Sequence, residues 1–142
     1  MPGRDIQDRG PRVSWGHKLS FQDLSGQELA FISQKLLSWK PTYEIFRNGE
    51  FFAQMVKEFS WFKKRFTLDV PGPNDYVIDG AFWVHDYTFL RGGAPVAVVS
   101  KTPWTWADTY GVETTDGQDD VTILCAALVI DLVLHDERAA AK

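Results

Sequence analysis

The sequence has only one cysteine, Cys125, among its 142 residues. A single cysteine excludes an intramolecular disulfide and a zinc cluster built from several thiolates. The first twelve residues, MPGRDIQDRGPR, are polar and lack the apolar core of a secretory signal peptide. Together these absences indicate a cytoplasmic protein, with peripheral attachment to a membrane as a further option.

An excess of positive charge is also missing, because the formal net charge is −4. Residues 1–65 carry 11 basic and 7 acidic side chains, a balance of +4, whereas residues 66–142 carry 4 and 12, a balance of −8. A general nucleic-acid-binding domain is strongly basic. We therefore expect no nucleic-acid partner.

Motifs for catalysis, metal binding and nucleotide binding are absent from the sequence. His17, His85 and His135 lie far apart, and none has a second ligand at the spacing of a motif such as HExxH. There is no GxSxG nucleophile elbow, no Walker loop and no GxGxxG segment. These absences favour a protein without a cofactor, and they make an enzyme the least favoured class of function.

Long apolar runs are scarce, and the longest is Val121–Leu134. As a helix it would be about 21 Å long. It is too short to span a membrane, which takes roughly 20 apolar residues. Its apolar residues point in every direction of a helical wheel, so it predicts a helix at about 119–135 that is buried on all sides. The rest of the chain must then form a wall around it.

Aromatic side chains are plentiful and form a repeat. An aromatic residue is followed after four residues by an aromatic residue or leucine, and after two more by an apolar residue. The five units, 21 to 24 residues apart, begin at Trp15, Trp39, Phe62, Trp83 and Trp106. A glycine follows each unit: Gly26, Gly49, Gly72, Gly93 and Gly117. Alternating apolar residues between such glycines predict β-hairpins with tight turns.

Five hairpins predict a mainly β fold of about ten antiparallel strands in up-and-down order. Such a meander closes most easily into a barrel, which removes its edges, and a barrel of this size has room for a central helix. We expect a polar segment at 1–12, one barrel domain at 13–137 and a tail at 138–142.

Three stretches of the chain resemble the LURP-one-related family: LSFQDLSGQELAFISQKLLSWKPTYEIF, FTLDVPGPNDYVIDGAF and DTYGVETTDGQDDVTILCAALVIDLVLHDE. That family is similar in fold to the Tubby carboxy-terminal domain and to the phospholipid scramblases. The resemblance, over about residues 12–137, implies a Tubby-like barrel of twelve strands around a hydrophobic carboxy-terminal helix. Family members usually have another hairpin before the unit at Trp15. Without it the barrel edges would be open, and we expect a homodimer that pairs through them.

An acidic stretch precedes the predicted helix. Asp116, Asp119 and Asp120 are weak calcium candidates, because calcium takes six to eight oxygen ligands from such loops. The resemblance to scramblases implies a calcium loop here, but Trp106 stands where its first acidic residue would be, and only Asp108 matches. We therefore prefer a tight turn at Asp116 followed by a helix cap, and we expect no bound metal.

Asp131 is the polar exception inside the apolar helix. A buried carboxylate is costly unless it is hydrogen-bonded or paired. We expect Asp131 to meet a partner on the barrel wall or to face the barrel mouth. A residue that fixes the register of the helix is the preferred interpretation, and a polar site inside the barrel is the alternative. His135 is expected in the last helical turn.

Basic and aromatic residues mix near the middle of the chain. The basic residues are Lys57, Lys63, Lys64 and Arg65. Such a mixture suits an anionic surface or a lipid head group. Tubby domains bind phosphoinositides through basic residues, and the resemblance implies that class of ligand. The alternative is a solvated turn between two strands.

The function that these observations favour is a non-catalytic binding or scaffold module that recognises anionic phospholipid head groups or a membrane surface. The alternative is a protein-interaction or structural domain with no small ligand.

Overall fold

The computed structural model describes residues 17–35, 38–58, 64–101 and 110–141. The strands in this part of the chain are β1 (Lys18–Gln22), β2 (Glu28–Gln34), β3 (Thr42–Arg47), β4 (Glu50–Glu58), β5 (Arg65–Asp69), β6 (Tyr76–Ala81), β7 (Asp86–Arg91), β8 (Ala94–Lys101) and β9 (Tyr110–Thr114). A short 3-10 helix, Phe82–Val84, joins β6 to β7, and one α-helix, α1 (Asp120–Ala140), follows β9.

The strands form one antiparallel sheet in which each strand pairs with the next in sequence order. The predicted mainly β meander is therefore confirmed. Instead of the expected ten to twelve strands, nine lie in the described residues, and no ladder among them joins β1 to β9. The sheet curls around α1 without closing into a barrel. Eight strands enclose only their own side chains, so nine are few for a wall around a helix.

The repeat glycines mark one end of the sheet. They lie in the turns β1–β2, β3–β4, β5–β6, β7–β8 and β9–α1, and their φ angles run from +79° to +108°. Only glycine adopts such angles without strain. Four of the five predicted hairpins are confirmed, whereas Gly117 leads into α1 and not into a tenth strand. We call the end of the sheet with these glycines the glycine end. The connections β2–β3, β4–β5, β6–β7 and β8–β9 lie at the opposite end.

The core lies between the concave face of the sheet and α1. Alternate residues of the strands point toward the helix, and Ile45, Met55 and Leu68 are fully buried there. At the end away from the glycines, the buried ring of Phe82 lies 5.0 Å from the Phe66 ring and 5.1 Å from the Tyr87 ring, measured between centroids. The 3-10 helix is thereby fixed to the core.

The helix begins at the predicted place but ends later. Asp119 is its N-cap, and its Oδ1 accepts a hydrogen bond from the backbone N–H of Val121 at 3.2 Å. The helix runs to Ala140 rather than to about 135, because the residues DERAA that follow His135 favour helix. Arg138, not His135, is therefore the basic residue of the last turn, and residues 138–140 are helical rather than a tail.

One stripe of α1 departs from the prediction of a helix buried on all sides. Leu124 is 37% exposed, and Val121 and Leu128 are only partly buried. The opposite side, which includes Ile123 and Ile130, is fully buried against the sheet.

Candidate functional site

Lys57 does not lie on the surface where a head-group ligand was expected. It follows Ala53 and Met55 at two-residue spacing on β4, so its side chain points inward, and the residue is 5% exposed. Its ammonium group forms an ion pair with Glu137 of α1. Burial, and next the nearby charge of Lys64, lower the pKa of Lys57. Lys57 therefore connects the helix to the wall.

The other basic candidates remain near the surface. Lys64 Nζ lies 3.0 Å from Glu137 Oε1, so two lysines share one carboxylate. Arg65 on β5 lies 3.4 Å from Asp79 on β6, a weak pair that still offsets part of its charge. Both side chains are close to half exposed. Lys63 lies outside the described residues.

Two exposed tryptophans stand at the same end of the sheet as Lys64. Trp39, in the β2–β3 connection, is 94% exposed, and Trp83, in the β6–β7 connection, is 64% exposed. Both are the first aromatic residue of their repeat unit, and we call this end the tryptophan end. The sequence repeat marked these positions but did not show that they are exposed.

The turn that carries Trp39 is tied to the sheet by its neighbours. Thr42 Oγ1 donates a hydrogen bond to the backbone oxygen of Lys40 at 2.8 Å and lies 2.8 Å from Ser38 Oγ. Lys40 Nζ also lies 2.5 Å from Glu58 Oε1 on β4, and this hydrogen bond lowers the pKa of Glu58. The exposed indole is thus presented by a hydrogen-bonded turn.

Trp83 is held by the 3-10 helix and its end. Phe82 is buried in the core, while Trp83 and Val84 face outward. The helix stops at His85, which has a left-handed φ of 54° and donates its backbone N–H to Phe82 at 3.0 Å. The buried ring and the turn therefore fix the direction in which Trp83 points.

Asp131 of α1 contacts a residue of the surrounding wall, which was one of the two expectations for this residue. Its Oδ1 lies 3.2 Å from His85 Nε2, so the partner is a histidine from the β6–β7 connection. Because His85 lies in the β6–β7 connection, this contact places Asp131 toward the tryptophan end, where its side chain is 36% exposed. This contact joins the apolar helix to the segment that carries Trp83.

The three acidic residues at the start of α1 have different surroundings, and Asp119 and Asp120 each make structural contacts. Asp116 lies in the turn before the helix. Asp119 caps the helix and lies 2.8 Å from Arg47, and Asp120 accepts a hydrogen bond from Thr114 Oγ1 at 2.9 Å. The described ranges hold no group of three His, Cys, Asp or Glu side chains placed to bind a metal ion. Near this helix start, burial raises the pKa of the Cys125 thiol to about 12, which keeps the thiol neutral.

The tryptophan end therefore combines two exposed indoles with Lys64, whose side chain is about half exposed beside Glu137. Such a surface suits the interface of an anionic bilayer, where indole rings and basic side chains are both favoured. In the described part of the chain, no helix has both the length and the apolar character needed to cross a membrane.

Comparison with known proteins gives two matches. The chain matches the family described as LURP-one-related over residues 7–131. It is also similar to a protein of Bacillus subtilis (strain 168) that bears the name uncharacterized protein YxjI. The two are 32% identical over 138 residues, which cover 94% of this chain and 83% of that protein. No solved structure matches significantly. These matches confirm the resemblance found in the sequence.

Proposed function

The chain belongs to the LURP-one-related family, and we propose that its domain is a non-catalytic module that docks on anionic membrane surfaces from the cytoplasm. The observation that carries this proposal is the exposure of Trp39 and Trp83 at one end of the sheet. Tryptophan favours the membrane–water interface, because its ring is apolar and its N–H needs a polar partner. Insertion of both indoles would bring this end of the sheet into the membrane surface, with the strands roughly perpendicular to it.

Electrostatic attraction would come chiefly from Lys64. Lys64 is about half exposed and shares the carboxylate of Glu137 with Lys57, so a lipid phosphate can approach its ammonium group. Each lysine near an anionic surface contributes about 1 kcal/mol. Lys40 and Arg65 already have carboxylate neighbours in Glu58 and Asp79 and should contribute less.

The rest of the domain supports this geometry. The turn at Trp39 is hydrogen-bonded, and the segment at Trp83 is fixed by the buried Phe82 ring. Little ordering of these segments is then needed on binding, which favours affinity. With only two indoles and one or two lysines in contact, we expect reversible binding, as for other peripheral modules.

Co-sedimentation with vesicles tests the proposal. The wild type should sediment with phosphatidylcholine vesicles that contain phosphatidylserine and much less with phosphatidylcholine alone. The double variant Trp39→Ser/Trp83→Ser should bind at least tenfold more weakly while it keeps its melting temperature. Phe51→Ser, which removes a 56% exposed ring from another face, is the matched control and should bind like the wild type. No binding by the wild type at low salt, or equal binding by the double variant, would refute the proposal.

The protein-interaction alternative also has a specific observation in its favour. On the convex face, the ring of Phe46 lies 6.5 Å from that of Phe31 and 6.0 Å from that of Phe51, across three neighbouring strands. Such ladders stabilise a sheet by themselves, but the exposed Phe51 also offers an apolar contact to a partner protein. The vesicle assay separates the two functions, because a domain that uses only this face would not bind lipid.

A further inference from the structure

One face of α1 is partly exposed although the residues on it are apolar. A helix that is apolar on every side is normally buried on every side. Val121, Leu124 and Leu128, at i, i+3 and i+7, form one face that the described sheet leaves uncovered, and Leu124 is 37% exposed. The composition of this face indicates that it is covered in the functional protein.

The contacts of α1 show which way the stripe points. On one side of the helix, Asp136 Oδ1 lies 2.9 Å from Nε2 of His17, the residue before β1. On the other side, Asp120 accepts a hydrogen bond from Thr114 at the end of β9. With 3.6 residues per turn, the stripe lies between Asp136 and Asp120 on the helical wheel. It therefore faces the gap between β1 and β9.

The two strands that border this gap are both sheet edges within the described residues. β1 pairs only with β2, and β9 pairs only with β8. Edge strands carry backbone N–H and C=O groups that favour pairing with a further strand. Leu19 and Phe21 on β1 and Val112 on β9 are partly buried apolar residues that pack against the core from the two edge strands. The gap thus offers both hydrogen-bonding edges and an apolar floor.

The charges on the two sides of the gap are opposite. Exposed Lys18 lies on the β1 side, and exposed Glu113 lies on β9. An arrangement that brings the β1 edge of one molecule to the β9 edge of another therefore places a basic side chain across from an acidic one at each junction.

We propose that a second copy of this chain covers the gap in a two-fold dimer. The β1 edge of each copy faces the β9 edge of the other, so opposite charges meet at both junctions and the two helical stripes face each other. Because nine is an odd number, β1 and β9 run in the same direction, and each junction is a parallel one. The symmetry axis then runs along the strands, which brings the tryptophan ends of both copies to the same side.

This proposal does not depend on the docking function, but it would strengthen it. Two tryptophan ends on one side allow a dimer to contact one membrane twice, which increases avidity without any new contact. A monomer would lack this gain.

Sedimentation velocity of the full chain over a hundredfold range of concentration is the test. The wild type should have twice the monomer mass. Leu124→Glu places a charge in the centre of the stripe and should shift the chain to monomer, with at least a tenfold weaker dimer. Leu24→Glu, a change of the same kind at a fully exposed turn of the glycine end, should remain dimeric. Unchanged melting temperatures for both variants show that folding is intact.

A charge swap tests the pairing itself. Lys18→Glu should weaken the dimer several-fold, and the double variant Lys18→Glu/Glu113→Lys should restore it, because opposite charges again meet at both junctions. A wild type that is monomeric at every concentration overturns the proposal and leaves the gap to residues 1–16 or to a different protein. A dimer that tolerates Leu124→Glu, or a swap that does not restore association, overturns it as well.

Discussion

Lys57 on β4 and Glu137 near the end of α1 form an ion pair on the concave side of the sheet. Lys57 is buried, and burial lowers its pKa, so the interior disfavours its charge. The carboxylate of Glu137 offsets this cost and at the same time fixes the C-terminal half of the helix against the wall. Apolar packing alone is poorly directional, whereas this pair allows one register.

Removal of Glu137 should destabilise the domain. Glu137→Gln takes away the carboxylate that faces the buried ammonium group. We expect the unfolding free energy to fall by about 2–3 kcal/mol. This is less than for a fully buried ion pair, because Glu137 is partly exposed. The double variant Lys57→Met/Glu137→Gln should recover most of the loss, since no buried charge remains. Urea denaturation of these two variants and of Lys57→Met alone measures the coupling, and additive losses would contradict it.

Asp119 should give the domain part of its resistance to acid. Burial works to raise its pKa, but hydrogen bonds from Thr122 and Arg47 and the charge of Arg47 outweigh this effect and lower the pKa. A carboxyl group whose pKa is lowered by folding stabilises the fold above its unfolded pKa of 3.8. That stabilisation is lost as the pH falls through the lower, folded value.

Two variants separate the charge of Asp119 from its role as a cap. Asp119→Asn keeps an oxygen for the N–H of Val121, so it should lose mainly the dependence of stability on pH in the acid range. Asp119→Ala loses the cap as well and should cost about 1 kcal/mol more at neutral pH. Thermal melts at several acidic pH values measure both effects. An asparagine variant with the same acid dependence as the wild type would show that other carboxyl groups are responsible.

The repeat in the sequence predicted much of the fold for a physical reason. Tyr43 and Ile45 alternate on one strand, and Gly49 supplies the positive φ angle of the next turn, so each of the first four units encodes two strands and their turn. The same repeat could not show which aromatic residues are buried. Trp39 lies four residues before Tyr43, beyond the start of β3, and the alternation of the strand does not extend to it.

The candidate site was harder to predict, because it depends on contacts between distant residues. Lys57 looked like part of a basic surface cluster, although its two-residue spacing from Ala53 and Met55 was a signal that it points inward. Nothing local indicates that its partner is Glu137, or that Asp131 meets His85. Such pairs are set by the path of the helix across the sheet.

Gly80 is a position whose importance the sequence pattern did not reveal. A Cβ atom there would lie 2.6 Å from the backbone oxygen of Asp86 and 2.6 Å from Cα of Tyr87, and its φ is +146°. Gly80→Ala should therefore force β6 and β7 apart next to the 3-10 helix and cost well over 2 kcal/mol. Gly93→Ala, at a similar backbone strain but with open space around it, should cost about 1 kcal/mol. Equal melting temperatures for the two variants would contradict this close approach.

Lys64 should contribute to membrane binding because it lies at the tryptophan end, and not only because it adds to the net charge of the domain. Lys64→Gln removes one positive charge from the tryptophan end, and at about 1 kcal/mol per lysine it should weaken binding to phosphatidylserine vesicles about fivefold at low salt. Gln27→Glu changes the net charge by the same amount at an exposed turn of the glycine end, and should weaken binding less than twofold. Raising the salt concentration should shrink the effect of Lys64→Gln, since exposed charges are screened over about 10 Å at 0.1 M salt. If both variants lose the same affinity, the domain has no preferred orientation on the membrane, and the tryptophan end is not its docking surface.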